Sequence, residues 1–280
     1  MSVWFVTGTS RGFGLEITRQ LLARGETVVA TARDTSQLKA QLNIDSERLL
    51  LAELDVTRPE QAQRAVETAL ATFGRIDVLV NNAGRGLLGA VEEANDTEIR
   101  GIYETNVFGL LTVTRAVLPV MRKQGSGRIV NLSSVLGFSA KMGWGIYAST
   151  KFAVEGLSEA LQLELEPLGI SVMIVEPGLF RTDFLDPTSL HWAQKTIDDY
   201  GQTAGRIRQW AVGHNHEQKG DPVKAATAII DAAILDQPPT RLALGVDCVE
   251  RIDGKLADTK AEMDLWRTVG MSMSYDSLPV

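Results

Sequence analysis

Tyr147 and Lys151 lie four residues apart in the string Ile146-Tyr147-Ala148-Ser149-Thr150-Lys151-Phe152. Four residues is just over one helical turn, so a phenol and an ammonium would project from one helix face. A free tyrosine ionises near pH ~10, and a neighbouring cation stabilises its phenolate and lowers that value. The pair is therefore a candidate proton donor and acceptor for neutral pH. The same spacing arises by chance in many helices; a second feature far upstream gives it weight. The apolar run Val3-Trp4-Phe5-Val6 leads into Thr7-Gly8-Thr9-Ser10-Arg11-Gly12-Phe13-Gly14. Strand, glycine turn and helix start follow the order a dinucleotide site needs. Glycines permit a tight turn and close backbone approach, and the helix N-terminus offers N–H groups to a pyrophosphate. The spacing is Gly-x-x-x-Gly-x-Gly rather than Gly-x-Gly-x-x-Gly, so an ordinary strand–helix turn is the competing reading.

The elements that must position these groups alternate along the chain. Short β-branched runs predict strands over 4–7, 27–32, 49–53, 78–81, 127–132, 171–176 and 241–244. Several are apolar throughout, as strands covered on both faces should be. Helical patterns fill the gaps over 14–24, 59–73, 96–123, 147–166 and 222–235. Gly25, Gly74, Gly125 and Gly169 follow four of them, where a left-handed cap suits glycine, and Asp221-Pro222 reads as N-cap and first helical residue. The alternation predicts an α/β fold: a doubly wound, mostly parallel seven-stranded sheet with helices on both faces, forming a single domain over 1–280. Such sheets bind ligands at the carboxyl ends of their strands. Residues 183–220 interrupt the pattern with Phe184, Trp192, Tyr200 and Trp210 and no convincing strand. They read as a substrate lid, with extra core helices as the alternative. Residues 247–270 predict a final charged helix for packing or oligomer contact.

Composition narrows the function classes. The chain has 280 residues, 44% of them hydrophobic, which is ample for one buried core. A net charge of −7 argues against nucleic acid as the main partner. Cys248 is the single cysteine, so no intrachain disulfide forms; it reads as a small buried hydrophobe, and a reduced cytoplasm fits. The apolar runs are far shorter than the ~20 residues a membrane span needs, and Met1-Ser2 runs directly into the first strand without a leader pattern. His214-Asn215-His216-Glu217 suggests metal ligation, but alternating histidines on a polar loop are usually solvated and no further pair completes a ligand set; no metal is expected.

Here the chain resembles the classical branch of the short-chain dehydrogenase/reductase family. Thr7 through Gly14 is similar to its Thr-Gly-x-x-x-Gly-x-Gly turn, Asn81-Asn82-Ala83-Gly84 to its segment after the fourth strand, and Tyr147 with Lys151 to its Tyr-x-x-x-Lys. The resemblance runs in register from about residue 3 to residue 183 and includes Asp55 and Pro177-Gly178. Phe73-Gly74-Arg75-Ile76-Asp77 and Val175-Glu176-Pro177-Gly178 resemble bacterial members grouped with hydroxysteroid and retinol dehydrogenases.

The resemblance implies a Rossmann-type fold and a cofactor site built from Gly8, Ser10, Arg11, Gly12, Phe13, Gly14, Arg33, Asp55, Val56, Asn82, Ala83, Gly84, Tyr147, Lys151, Pro177, Gly178, Phe180 and Thr182. Members preferring NAD commonly carry an acid at the end of the second strand, where it accepts from the ribose 2′-hydroxyl. By register that slot is Ala32, followed by Arg33, with Arg11 in the glycine turn. Two guanidiniums there would clamp a 2′-phosphate, so NADP(H) is expected rather than NAD(H). Asp34 complicates this, since a one-residue shift would favour NAD; Arg33 as a solvated loop residue is the other competing reading.

The implied catalytic group is Asn106, Ser134, Tyr147 and Lys151. Ser134 and Tyr147 would bond a carbonyl oxygen, Tyr147 would give it a proton, and Lys151 would bond the nicotinamide ribose and make the phenol more acidic. Asn106 would hold a water linking Lys151 to solvent. No metal is needed when such donors face a developing oxyanion. Phe138, Met142, Trp144, Phe184 and Trp192 are the expected substrate walls, some of them core instead, and suit an apolar ketone, aldehyde or secondary alcohol. The expected function is NADP(H)-dependent interconversion of such a carbonyl and its alcohol. A non-catalytic nucleotide-sensing regulator on the same fold is the alternative, and a sugar-nucleotide epimerase or dehydratase is a third. A homo-oligomer, dimer or tetramer, is expected through the helices over 96–123 and 147–166, with no nucleic acid or membrane partner.

Overall fold

Side-chain alternation along the first strand sets the layering, because successive residues of a strand face opposite ways. In the computed structural model, which describes residues 1–275, β1 (Val3–Thr7) sends Trp4 and Val6 into one core and Val3 and Phe5 into another. The first core is closed by α1 (Gly12–Ala23), α2 (Thr35–Leu42) and α8 (Pro222–Ala233). The second is closed by α3 (Pro59–Phe73), α5 (Gly109–Gln124) and the end of α6 (Gly145–Leu165). A sheet apolar on both faces needs this double cover, which explains the unbroken apolar strand sequences.

The other strands are β2 (Thr27–Ala32), β3 (Leu49–Glu53), β4 (Val78–Asn81), β6 (Gly127–Leu132), β7 (Ile170–Pro177) and β9 (Arg241–Leu244), in the spatial order β3-β2-β1-β4-β6-β7-β9. Every neighbouring pair is parallel. The seven-stranded doubly wound sheet is as expected. The chain reverses its direction of winding between β1 and β4, so a crevice opens at their carboxyl ends. Those ends are tied by a buried polar ladder: Asn81 donates to Thr114 and to Asn131, both at 2.9 Å, and Asn131 donates to Ser158 at 2.8 Å.

Three departures from the sequence reading concern the site. A second sheet pairs β5 (Gly86–Leu88) with β8 (Leu190–Trp192), so the 183–220 stretch does contain a strand. Three residues with a partner over a hundred positions away carry no local periodicity to betray it. The predicted helix over 96–123 is α4 (Asp96–Tyr103) and α5 joined through a π turn at Glu104–Phe108 that contains Asn106. Within 183–220 one α-helix of two turns, α7 (Arg206–Gly213), forms, led into by a π turn at Gly201–Gly205 and preceded by short 3-10 turns at Asp183–Leu185 and Asp198–Tyr200. Asp34 is the N-cap of α2, accepting from Ser36 N at 2.9 Å and Gln37 N at 3.1 Å. The terminal helix α9 spans Val246–Met271.

Candidate active site

The glycine turn is held against β4 by its own side chains. Thr7 Oγ1 accepts from Asn82 N and Ala83 N at 3.0 Å, and the Asn82 amide donates to Thr7 O at 2.8 Å and Gly8 O at 2.9 Å. Gly8 has φ +69, and a Cβ there would fall 2.9 Å from Ala83 Cα; a Cβ on Gly14 would fall 2.4 Å from Gly8 O. Both positions therefore require glycine. The N-cap of α1 is Arg11, which makes no side-chain cap bond, so the helix-start N–H groups face a cleft of about 850 Å³ with no side chain capping them. A helix end of that kind suits the phosphates of a dinucleotide.

Around this cleft lie Gly8, Ser10, Arg11, Gly12, Phe13, Arg33, Asp55, Val56, Asn82, Ala83, Gly84, Pro177, Gly178, Phe180 and Thr182. Gly14 lies behind the turn, outside the lining, where it serves packing. Phe13 and Phe180 meet edge to face at 5.3 Å. At the β2 end, Arg33 is exposed. Asp34, which could have moved the argument toward NAD, is committed to its helix cap. The Asp55 carboxyl is raised by burial but lowered more by hydrogen bonds from Thr57 and by the charges of Arg33 and Arg58, so it sits below the usual range. Arg11 instead reaches Thr188, donating to its Oγ1 at 2.5 Å and its carbonyl at 3.2 Å. The two-guanidinium clamp expected from the sequence thus has Arg33 in place and Arg11 fastened to the 183–220 segment.

Tyr147, Lys151 and Thr150 come from α6, Ser134 from the end of β6. Lys151 is buried and donates to Leu132 O at 2.7 Å; its nitrogen lies 5.8 Å from the Tyr147 ring centroid. Burial lowers its pKa to about 8, against a smaller upward pull from Glu155. For Tyr147 the outcome reverses the expectation. Its phenol is buried, and desolvation pushes its pKa well above 10, with Ser134 pulling the other way. Burial therefore sets the direction of the shift, with the Ser134 hydrogen bond the one opposing contribution. Ser134 Oγ also accepts from Leu136 N at 3.1 Å. The Asn106 side chain is engaged: Oδ1 accepts from Arg85 N at 2.9 Å, and Nδ2 donates to Arg85 O at 2.9 Å and Thr150 Oγ1 at 3.1 Å. It pins the segment after Gly84 to α6 and lies behind the cleft.

The aromatic wall is narrower than the sequence implied. Trp144 and Phe184 bracket the phenol, with ring centroids 5.7 and 5.5 Å from that of Tyr147. Phe138, Met142 and Trp192 do not line the cleft; Met142 is 58% exposed and Trp192 38%. Trp192 points away because strand residues alternate, and its β8 neighbour His191 takes the cleft side. Sequence reasoning missed Arg58, Arg85, Lys141 and Leu185, which line the same cleft, and named Trp210, which also lines it, as part of the lid segment without placing it in the pocket. Arg85 directly follows Gly84 and was reachable by extending that motif. Lys141 lies 5.4 Å from the Trp210 ring, a contact only the folded chain creates. His214 stacks on Trp210 at 5.0 Å. Asp183, Asp186 and His216 bring ligand atoms within 4.8 Å of one another, but Asp186 is already bonded by Asn215 and His216.

Behind Ser133 lies a buried acid pair, Glu155 and Glu176, facing Arg241. Desolvation first and the Glu155 charge second raise Glu176 to about 7, with Arg241 opposing. Its ordinary value is 4.5. Between those values the folded chain holds a proton the unfolded chain has released, so this group's contribution to stability falls as pH rises through that window. Glu176→Gln should therefore gain Tm relative to the parent between pH 5 and pH 8, by roughly 2–4 °C per kcal/mol. A Tm deficit of equal size at both pH values would show an ionised Glu176 instead. Cys248 donates to Glu176 O at 2.9 Å, and burial pushes its thiol up to about 12, the behaviour of a packed, unreactive residue.

Comparison with known proteins agrees with this geometry. The family model described as short chain dehydrogenase matches residues 2–191. A protein named 3-ketodihydrosphingosine reductase from Bacteroides thetaiotaomicron is 39% identical over 242 residues, covering 86% of each chain. The crystal structure of a short-chain dehydrogenase from Streptomyces avermitilis superposes with a TM-score of 0.90 at 42% identity, over 98% of this chain and 100% of that one. A short-chain dehydrogenase from Burkholderia cenocepacia, solved in complex with NADP, gives 0.73 at 27% identity over 94% and 96%.

Proposed function

Because this chain belongs to the short-chain dehydrogenase family, we propose that it is an NADP(H)-dependent oxidoreductase interconverting an apolar ketone or aldehyde with its alcohol. The observation that carries the reading is the buried phenol of Tyr147, set beside Ser134 and Lys151 in the cleft that the uncapped glycine turn also lines. A relative named as the reductase of a keto compound supports the direction and substrate class. The residues present fit the cofactor: glycines where a Cβ would collide, and open helix-start N–H groups for a pyrophosphate.

The bound nucleotide supplies the hydride. In reduction, Tyr147 and Ser134 donate to the carbonyl oxygen as it gains charge, and Tyr147 passes its proton to it. The raised phenol pKa keeps that proton in place until an oxyanion is there to take it. Lys151 supplies positive charge within the same dry wall and favours the phenolate left behind. Asn106 holds the Arg85 backbone and Thr150 in register, a positioning role. Trp144 and Phe184 exclude water and select apolar substituents. The 183–220 segment, bordering the cleft through Phe184 and Trp210 and latched by Arg11 to Thr188, serves as the lid. The single thiol suits a reduced cytoplasm; among the described residues no helix is long and apolar enough to cross a membrane. Exposed Phe108, Phe152 and Leu163 support a homo-oligomer through the α5 and α6 faces.

NADP preference rests on Arg33, aided by Arg58 and by the diversion of Asp34 to its cap. Loss of a charge-assisted contact of ~1.5–3 kcal/mol predicts that Arg33→Ala weakens NADPH about 10–100-fold, with NADH affected only slightly. Titration calorimetry with both nucleotides tests this, and equal losses would remove the phosphate argument. Absorbance of reduced nicotinamide with a panel of apolar ketones tests the activity. Nucleotide binding without turnover on any carbonyl would favour the regulator.

A further inference from the structure

Helix α9 presents a face that nothing among the described residues covers. Its start is anchored, with Cys248 buried and Arg251 donating to the Ser139 and Ala140 carbonyls at 3.2 and 2.9 Å. From residue 253 to residue 275 every residue is exposed. A helix projecting so far gains no stability from burial of its own apolar side chains, and isolated helices are marginal in water. Yet the exposed part is not uniformly polar: Leu256, Met263 and Trp266 are 53%, 51% and 65% exposed. Val249, Ile252, Leu256, Thr259, Met263 and Trp266 recur at alternating steps of three and four, which are the a and d positions of a heptad, with Thr259 the one polar member.

We propose that this stripe is the seam of an antiparallel two-helix coiled coil formed with a second copy of this chain. Charge selects the occupant and the direction. The flanking e and g positions over the middle of the stripe are Asp253, Lys255, Lys260 and Glu262. With Leu256 set against Thr259 of the second copy, Ile252 faces Met263 and Val249 faces Trp266. The flanks then place Asp253 against Lys260 and Lys255 against Glu262, each twice by symmetry, and all four contacts join opposite charges. Parallel pairing would instead set Lys255 of each copy against Lys260 of the other, a like-charge contact repeated twice that offsets its two Glu262–Arg267 attractions and leaves no net gain. The antiparallel seam is self-complementary about a two-fold axis and so closes at two copies. It buries the one large aromatic of the projecting helix, Trp266, against the anchored first turns of the other copy. This surface lies apart from the α5 and α6 faces, so it adds one assembly step of its own.

Sedimentation velocity on the full chain tests the pairing. The parent should sediment as an assembly twice the size of Trp266→Ser, a substitution at an exposed site that leaves the fold intact. Lys260→Glu sets like charges at both symmetry copies of the Asp253 contact, leaves the Lys255–Glu262 flank unchanged, and should weaken the step about tenfold. Adding Asp253→Lys to it should restore association, although the local loss of the Lys260–Asp264 pair persists in both variants. Tighter association of Lys260→Glu would mean parallel pairing and overturn the proposal. It is equally overturned if the parent and all three variants sediment alike, whether as monomers or as one larger assembly.

Discussion

Tyr147→Phe should bind NADPH with unchanged affinity and turn over at least ~10²–10⁴-fold more slowly, the range a positioned proton donor supplies. The phenylalanine keeps the ring contacts with Trp144 and Phe184, so the wall and the fold survive the change. What disappears is the hydroxyl, and with it the proton that must reach the carbonyl oxygen. Because burial raises this phenol far above its ordinary value, the parent enters each reductive cycle fully protonated at neutral pH. The variant has no other donor at that spot: Ser134 can share a hydrogen bond but has no acidity to offer. Fluorescence titration with NADPH and absorbance assays on one apolar ketone separate the two effects. Turnover within tenfold of the parent would remove Tyr147 as the acid, and a parallel loss of nucleotide affinity would show that the hydroxyl serves binding instead.

The second large effect belongs to Lys151, whose ammonium is buried and lowered to about 8. The sign follows directly. Below that value the group is charged and favours the phenolate; as pH rises through it the charge is lost. For reduction, kcat/KM of the parent should hold level to about pH 8 and fall above it, since this ratio reports groups of the free enzyme. Tyr147 cannot produce that limb, because its own pKa lies well higher. Lys151→Arg keeps a charge that does not titrate in the accessible range and should move the limb out of view. Lys151→Met should be about 10²-fold slower or worse and show no limb there. Removing a buried charge also spares the fold its desolvation cost, so Lys151→Met should keep its Tm at pH 7 despite leaving Leu132 O without its donor. A parent profile level to pH 10 would overturn this assignment.

Much of the scaffold was legible because it is written in local pattern. Unbroken apolar runs such as Val3–Val6 and the spaced glycines after Phe73 and Gln124 state their own conformations, since burial on two faces and a left-handed cap admit few residues. The glycine turn was legible for the same reason: Gly8 and Gly14 are positions where any Cβ would strike backbone. The short pair β5–β8 was not, because its partners are remote in sequence and neither strand has a period. Helix α2 was also passed over; its eight residues carry little apolar pattern beyond Leu38 and Leu42.

Residue types and spacing sufficed for the chemistry on offer: a phenol and an ammonium one helical turn apart, a serine ending a strand, and a turn shaped for phosphates. Those are short-range facts, fixed by rise per residue and by steric exclusion. The tertiary structure alone decided the environment of each group. It buried the phenol so that desolvation raised its pKa, engaged Asn106 with Arg85 and Thr150, fastened Arg11 to Thr188, and turned Trp192 outward while bringing Lys141 and Trp210 to the cleft. Dielectric surroundings and side-chain partners are properties of what packs against a residue, and the packing partners here come from segments far apart in the chain.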